Sequence, residues 1–162
     1  MNTKKEYKTK EGLISAISIG LVLILIGIIF VSSLPNNLLD RLITFFESLV
    51  FRNVPGSPIS LLAPSNPAAH SILYNSVFQF CIGIGILQIV ILSLRFVIQS
   101  KIEKIAGTVG DSIFWFGNSF LVITYLNNAT TISKWFEFWA ALFIILGLSL
   151  IAKALVLLTK GK

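Results

Sequence analysis

Polar and apolar residues fall along this chain in blocks. Residues 1–11, MNTKKEYKTKE, are polar and basic, whereas residues 12–34, GLISAISIGLVLILIGIIFVSSL, carry no charge. At ~1.5 Å rise per residue the uncharged block is long enough to cross the ~30 Å hydrocarbon core of a bilayer. Basic residues before an apolar stretch also head a signal peptide, but this stretch exceeds the ~7–15 residues of a signal core. The pattern therefore predicts an uncleaved first transmembrane helix, with Val31 and Ser33 as a weak cleavage context.

Pro35 stops that helix, and the period then changes. In residues 36–53, NNLLDRLITFFESLVFRN, the apolar positions Leu39, Leu42, Ile43, Phe46, Leu49 and Val50 recur at helical spacing. Asp40, Arg41, Thr44, Glu47 and Ser48 take the other side. This predicts an amphipathic helix, too short and too charged to span, lying in the interface or over the mouth of the bundle. Asn36 or Asn37 is placed to cap its start. Residues 54–70, VPGSPISLLAPSNPAAH, contain four prolines and show no helical pattern, so they are expected to form a loop.

Three further apolar blocks follow. Residues 71–94 predict a second spanning helix and 95–105 a polar connection containing Arg95, Lys101, Glu103 and Lys104. Val97, Ile98, Ile102 and Ile105 keep helical apolar spacing there, so helix is expected past the membrane edge. Residues 106–126 predict a third span, 127–133 an outer loop, 134–158 a fourth span, and 159–162 a short tail. The expected class is an all-α integral membrane protein. It comprises four transmembrane helices in one antiparallel bundle, plus an extracytoplasmic interfacial helix.

Composition supports the class. The 162 residues are 55% hydrophobic and only 12% charged, with mean hydropathy +0.87. Soluble domains carry about twice that charge fraction, near ~25%. The net charge of +6 would point toward nucleic acid in a soluble protein, but its placement argues for topology. Lys4, Lys5, Lys8, Lys10, Arg95, Lys101, Lys104, Lys153, Lys160 and Lys162 fall on one predicted side, against Arg41, Arg52 and Lys134 on the other. By the positive-inside rule both termini are expected in the cytoplasm of a cell-membrane protein, touching anionic headgroups, with no nucleic-acid partner. Tyr74, Tyr125, Trp135 and Trp139 fall near the predicted outer boundary, where amphipathic rings are favoured. Asn128-Ala129-Thr130 matches a glycosylation acceptor on that side, too close to the membrane for efficient modification.

A small-residue stripe of Ala16, Gly20 and Gly27 in the first span, and Ala140, Gly147 and Ala154 recurring every seven residues in the fourth, predict close helix contacts. Gly83 and Gly85 predict another close neighbour or a mild kink; in a membrane helix their GxG spacing is no nucleotide loop. The lone Cys81, inside an apolar run, reads as a small buried hydrophobe.

Polar residues inside the spans are the remaining candidates for chemistry. Asp111 and Asn118, seven apart, share a helix face with Trp115, Val122 and Tyr125. That face is expected to look inward, because a carboxylate facing lipid costs at least ~2.5–3.5 kcal/mol near the bilayer centre. Asp111 lies ~22 Å below the outer end of its helix and Lys153 ~27 Å below the outer end of the next. The two are expected either to form an ion pair or to snorkel separately to the headgroups. Gln79 and Asn118 each lie ~12 Å deep and are expected to pair as amides, with Asn75 one turn from Gln79. Gln88, on roughly the opposite face from Gln79, is a candidate contact for a partner or second subunit.

No catalytic constellation emerges, and no cofactor is expected. His70, the only histidine, could join Asp40 or Glu47 in a peripheral metal site, but two or three scattered ligands are weak support; it reads as a solvated loop residue. The expected function is a non-enzymatic accessory or scaffold subunit, packing against other membrane proteins or itself. The competing expectation is a small oligomeric transporter or channel with a polar path past Gln79, Asn118 and Asp111. That path lacks the mid-membrane charge or Pro-broken helix that carriers commonly show.

Overall fold

The structure is a computed structural model that describes residues 2–34 and 37–159. Pro35, Asn36, Lys160, Lys162 and the side chains of Lys4, Lys5 and Lys8 lie outside the described residues. The chain runs α1 (Asn2–Ser33), α2 (Leu38–Glu47), β1 (Leu49–Asn53), β2 (Ser60–Pro64), a 3-10 turn (Pro67–His70), α3 (Ser71–Val97), α4 (Ile102–Tyr125) and α5 (Ile132–Leu158). The class is all-α and suits a membrane. Three segments, Thr9–Ser33, Pro67–Val97 and Ile132–Leu158, are long and apolar enough to cross a bilayer. α4 has the length but not the hydropathy, because Asp111, Asn118 and several Gly, Ser and Thr residues interrupt its apolar surface.

Where α4 sits explains how it tolerates that composition. It packs along α3 on one side and α5 on the other, while α1 packs on α3. Its Thr108, Ser112, Asn118 and Ser119 are all buried. Each returns its polar group to a carbonyl of its own helix, 2.8–3.0 Å away. The one long helix that falls short of a spanning hydropathy thus lies between two others and buries its polar groups.

Helix contacts settle the sense of each pairing. The Ser100 hydroxyl donates to the Glu11 carboxylate, and Ser33 meets Ser76 at 3.4 Å, so α1 and α3 run antiparallel. α4 returns along α3 after a four-residue connection in which Gln99 takes a left-handed conformation (φ 53°). α4 and α5 approach closely over their middle turns. A Cβ on Gly117 would lie 2.5 Å from Ile145 Cγ2, and one on Gly110 would lie 3.0 Å from the Ser149 carbonyl oxygen. Lys10, Arg95, Lys101, Lys104 and Lys153 thereby collect at one end of the molecule. Arg41, Arg52 and Lys134 lie at the other with α2 and the hairpin.

Several boundaries differ from those the pattern predicts. α1 begins at Asn2, not at residue 12, because Lys and Glu are good helix formers and no breaker separates them from the apolar block. The 95–105 connection shrinks to residues 98–101, as helix persists past the charged positions at both ends. The amphipathic helix predicted over 36–53 stops at Glu47, where the Ser48 hydroxyl bonds the Phe45 carbonyl at 2.7 Å. Leu49–Asn53 then forms a strand pairing antiparallel with Ser60–Pro64, Leu49 opposite Pro64 and Asn53 opposite Ser60. The hairpin turns at Pro55–Gly56, with Gly56 at φ 76°, a conformation that suits glycine. Asn37 adopts φ 49° and makes no side-chain cap, so the expected capping at that residue does not occur.

The small-residue stripes also fall elsewhere than expected. Ala16, Ala140 and Ala154 are exposed, and nothing lies within 4 Å of a Cβ placed at Gly20, Gly27 or Gly147. Close packing instead uses Gly83, which faces Leu25 of α1, and Gly85, which faces the Phe116 ring.

Candidate functional site

The densest core lies at the α2 end, where Ala63, Tyr74, Leu121, Val122, Leu126, Trp135 and Phe138 cluster. Tyr74 and Trp135, expected in an outer aromatic belt, are at that end but face inward, only 3% and 5% exposed. The hairpin covers them: the Trp135 indole donates to the Leu62 carbonyl at 3.2 Å. Trp139, at 43% exposed, stays at the surface.

His70, expected in solvent, is buried. Its Nε2 lies 3.0 Å from the Ser48 hydroxyl, and its ring stands edge-on to Phe45 at 5.2 Å. The Ser65 amide donates to the Ser48 carbonyl at 2.8 Å. Together these contacts pin the end of α2 and the hairpin to the start of α3. His70 is therefore part of the joint between cap and helices, and among the described residues no group of three metal-ligating side chains surrounds it.

Beneath α2, residues of α3, α4 and α5 line an open groove of about 420 Å³. Leu42 and Phe45 of α2 form its roof, Asn118 and Trp115 of α4 its floor, and Tyr74 of α3 and Phe138 of α5 its walls. Phe45, Tyr74, Trp135 and Phe138 pack ring to ring, with centroids 6.0–6.5 Å apart. Tyr74 also borders an outer cleft of about 330 Å³ containing Asn75, Asn127 and Asn128. Its hydroxyl is buried with no hydrogen-bond partner. Asn118 spends one amide hydrogen on the Phe114 carbonyl at 2.8 Å and makes no other hydrogen bond among the described residues.

Of the five polar residues expected to meet, the structure brings together few. Asn118 is buried, but Gln79 and Asn75 are exposed, and no Gln79–Asn118 amide pair forms. An asparagine one turn from a helical carbonyl satisfies itself locally, which removes the need for a partner across the interface. Asp111 and Asn118 do share the α4 face that carries Trp115 and Val122. Only the Asn118 half borders the groove that residues of α2 also line, and Asp111, two turns away, is exposed. Lys153 of α5 and Arg95 of α3 are near enough for their charges to act on Asp111. No ion pair at contact distance joins Asp111 to Lys153 among the described residues. Gln88 is half-buried on α3.

Arg95 has a role the sequence reading did not anticipate. Its guanidinium turns back across the connection, donating to the Lys104 carbonyl at 2.6 Å and to the Thr108 hydroxyl. It ties the end of α3 to the first turns of α4. The aromatic groove was also missed, although its signal is present: Trp115–Asn118–Val122 and Trp135–Phe138–Trp139–Leu142 follow helical spacing. No protein-family model, curated protein or solved structure matches the chain.

Proposed function

We propose that the chain crosses the membrane four times, with α1, α3, α4 and α5 as spans and both termini cytoplasmic. In this reading it serves as a non-enzymatic accessory or scaffold subunit of a membrane complex. The observation that carries the reading is the rigidly held outer cap. α2 and the β-hairpin are joined to the helices through Trp135, Ser48 and His70, yet Phe51, Ile59, Leu61 and Leu62 of the hairpin are 50–74% exposed. A fixed apolar surface at the end of a bundle suits docking to another membrane protein or to a second copy of the chain. The concentration of Lys and Arg at the opposite end supports cytoplasmic termini.

The dispersal of Gln79, Asn118 and Asp111 over exposed, buried and end positions gives little support to a continuous transport path. Purification of the tagged chain in mild detergent tests the proposal. A partner or self-assembly retained by the intact protein, and lost when Phe51, Leu61 and Leu62 become serine, is the expected result. Proton or ion flux in liposomes that disappears in Asp111→Asn would overturn it in favour of transport.

A further inference from the structure

β1 and β2 form a two-stranded sheet, so each strand has an edge that the other leaves open. The ladder fixes which backbone groups point that way. The Val54 amide donates to the Ile59 carbonyl at 2.9 Å, and the Ser65 amide to the Ser48 carbonyl at 2.8 Å. Both bonds continue the register of the sheet, one past Asn53–Ser60 and the other past Leu49–Pro64. Bonded pairs alternate along an antiparallel ladder, so Val50 and Arg52 turn their backbone groups toward β2. Leu49, Phe51 and Asn53 turn theirs outward.

The two open edges are not alike. On β2 the Leu62 carbonyl accepts from the Trp135 indole, Pro64 has no N–H to offer, and the strand packs against α5. On β1 the outward groups of Leu49, Phe51 and Asn53 make no backbone hydrogen bond among the described residues. The strand contains no proline, its one charge is Arg52, and Val50 through Asn53 are exposed. An edge left without proline, bulge or cover is a template for a further strand.

This edge is also complementary to itself. Set antiparallel to a second β1 with Phe51 opposite Phe51, it brings Leu49 opposite Asn53 on either side, and each of these pairs exchanges two backbone bonds. Arg52 then faces Val50 of the second copy, so like charges are not opposed. A register centred on Arg52 would oppose them, and one centred on Val50 would forgo a bonded pair. The two-fold axis of such a pair stands perpendicular to the sheet. The face bearing Ala63, which is buried in the core with Trp135 and Phe138, therefore points the same way in both copies, and both bundles fit one membrane.

We infer that β1 pairs with β1 of a second copy to make a continuous four-stranded sheet across two bundles. The inference rests on the docking role proposed for the hairpin. It names the partner as the chain itself and the contact as backbone pairing, with apolar side chains packing on its faces.

The test counts copies of the fluorescently tagged full chain in dilute liposomes by single-molecule photobleaching. Wild type is expected in pairs. Phe51→Pro removes the outward N–H on the axis without touching a bond to β2, and is expected to weaken pairing about tenfold. Phe51→Thr gives up the ring but keeps the N–H and suits a strand, so it retains most of the pairing. Thermal melts establish that both variants are folded. Cross-linking with a short bis-maleimide reads the same contact without proline: in a Cys81→Ser chain, Phe51→Cys is expected to link two copies and Leu61→Cys, in the far strand, is not. Single copies in wild type, or pairs that survive Phe51→Pro, would overturn the inference. Equal loss of pairs in Phe51→Pro and Phe51→Thr would also overturn it while leaving the apolar docking role in place. Pairs that persist in both variants with no cross-link at Phe51→Cys would remove the hairpin from docking altogether.

Discussion

The two faces of α4 make different use of similar materials. One, bearing Trp115, Asn118 and Val122, lies under α2 against an aromatic cluster. The other, bearing Ile113, Phe116 and Phe120, looks into an aliphatic groove with no secondary-structure cap, and Phe120 is 65% exposed. Where the surroundings are apolar solvent, burial supplies no driving force, and side chains need only be greasy. Where protein replaces that solvent, ring geometry and hydrogen-bond satisfaction begin to matter. The covered face should therefore be sensitive to substitution and the open face tolerant.

Thermal or denaturant unfolding in detergent can break that contrast. The largest effect is expected for Trp135→Ala, about 3–5 kcal/mol, because it empties a buried ring site and releases the hairpin carbonyl of Leu62. Phe120→Ala, on the open face, should change stability by less than about 0.5 kcal/mol. Comparable losses in the two variants would refute the distinction. Arg95→Met should cost about 1.5–3 kcal/mol, since it breaks the charge-assisted bonds from its guanidinium to the Lys104 carbonyl and the Thr108 hydroxyl that join α3 to α4. Hydrogen exchange should quicken first in residues 98–108 if the residue acts as that tie.

Gly110→Val probes the seam between α4 and α5 itself. Its Cβ would press on the Ser149 backbone, which has little room to yield, so a loss of about 1–3 kcal/mol is expected from the melting curve. The smallest effects belong to the polar residues outside the cover. Asp111→Asn should lower stability by no more than about 1 kcal/mol, as for an exposed charge near two cations. Gln79→Leu should be close to neutral. A large loss for Gln79→Leu would mean that the exposed amide has a partner that the isolated chain does not contain.

Much of this architecture is legible in residue patterns. The apolar blocks place α3, α4 and α5 to within about four residues at each end, because lipid demands apolar side chains and internally bonded backbone, whereas α1 starts ten residues ahead of its block. The charge clusters likewise reappear at one end of the structure. Less legible is the segment 49–64, where Leu49 and Val50 continue a helical apolar stripe yet pair as a strand with residues beyond two prolines. Local spacing could not reveal that Ser60–Pro64 would return alongside. Depth arithmetic placed Asp111 near Lys153 but could not show that Asp111 stays exposed while Asn118 is buried. The Gln79–Asn118 pair failed for a related reason: equal depth on neighbouring helices does not fix rotation about their axes, and Asn118 had a carbonyl on its own helix within reach.

The sequence by itself determined helical class, the order of the apolar segments and the asymmetry of charge, since these follow from how each residue partitions between water and oil. Only the tertiary structure decided that α4 lies between α3 and α5, that Tyr74 and Trp135 turn inward, and that α2 borders an aromatic groove. Those outcomes depend on which faces of separate helices meet. That choice is made by the fit of Gly83 to Leu25, Gly85 to Phe116 and Gly117 to Ile145, contacts between residues far apart in the chain.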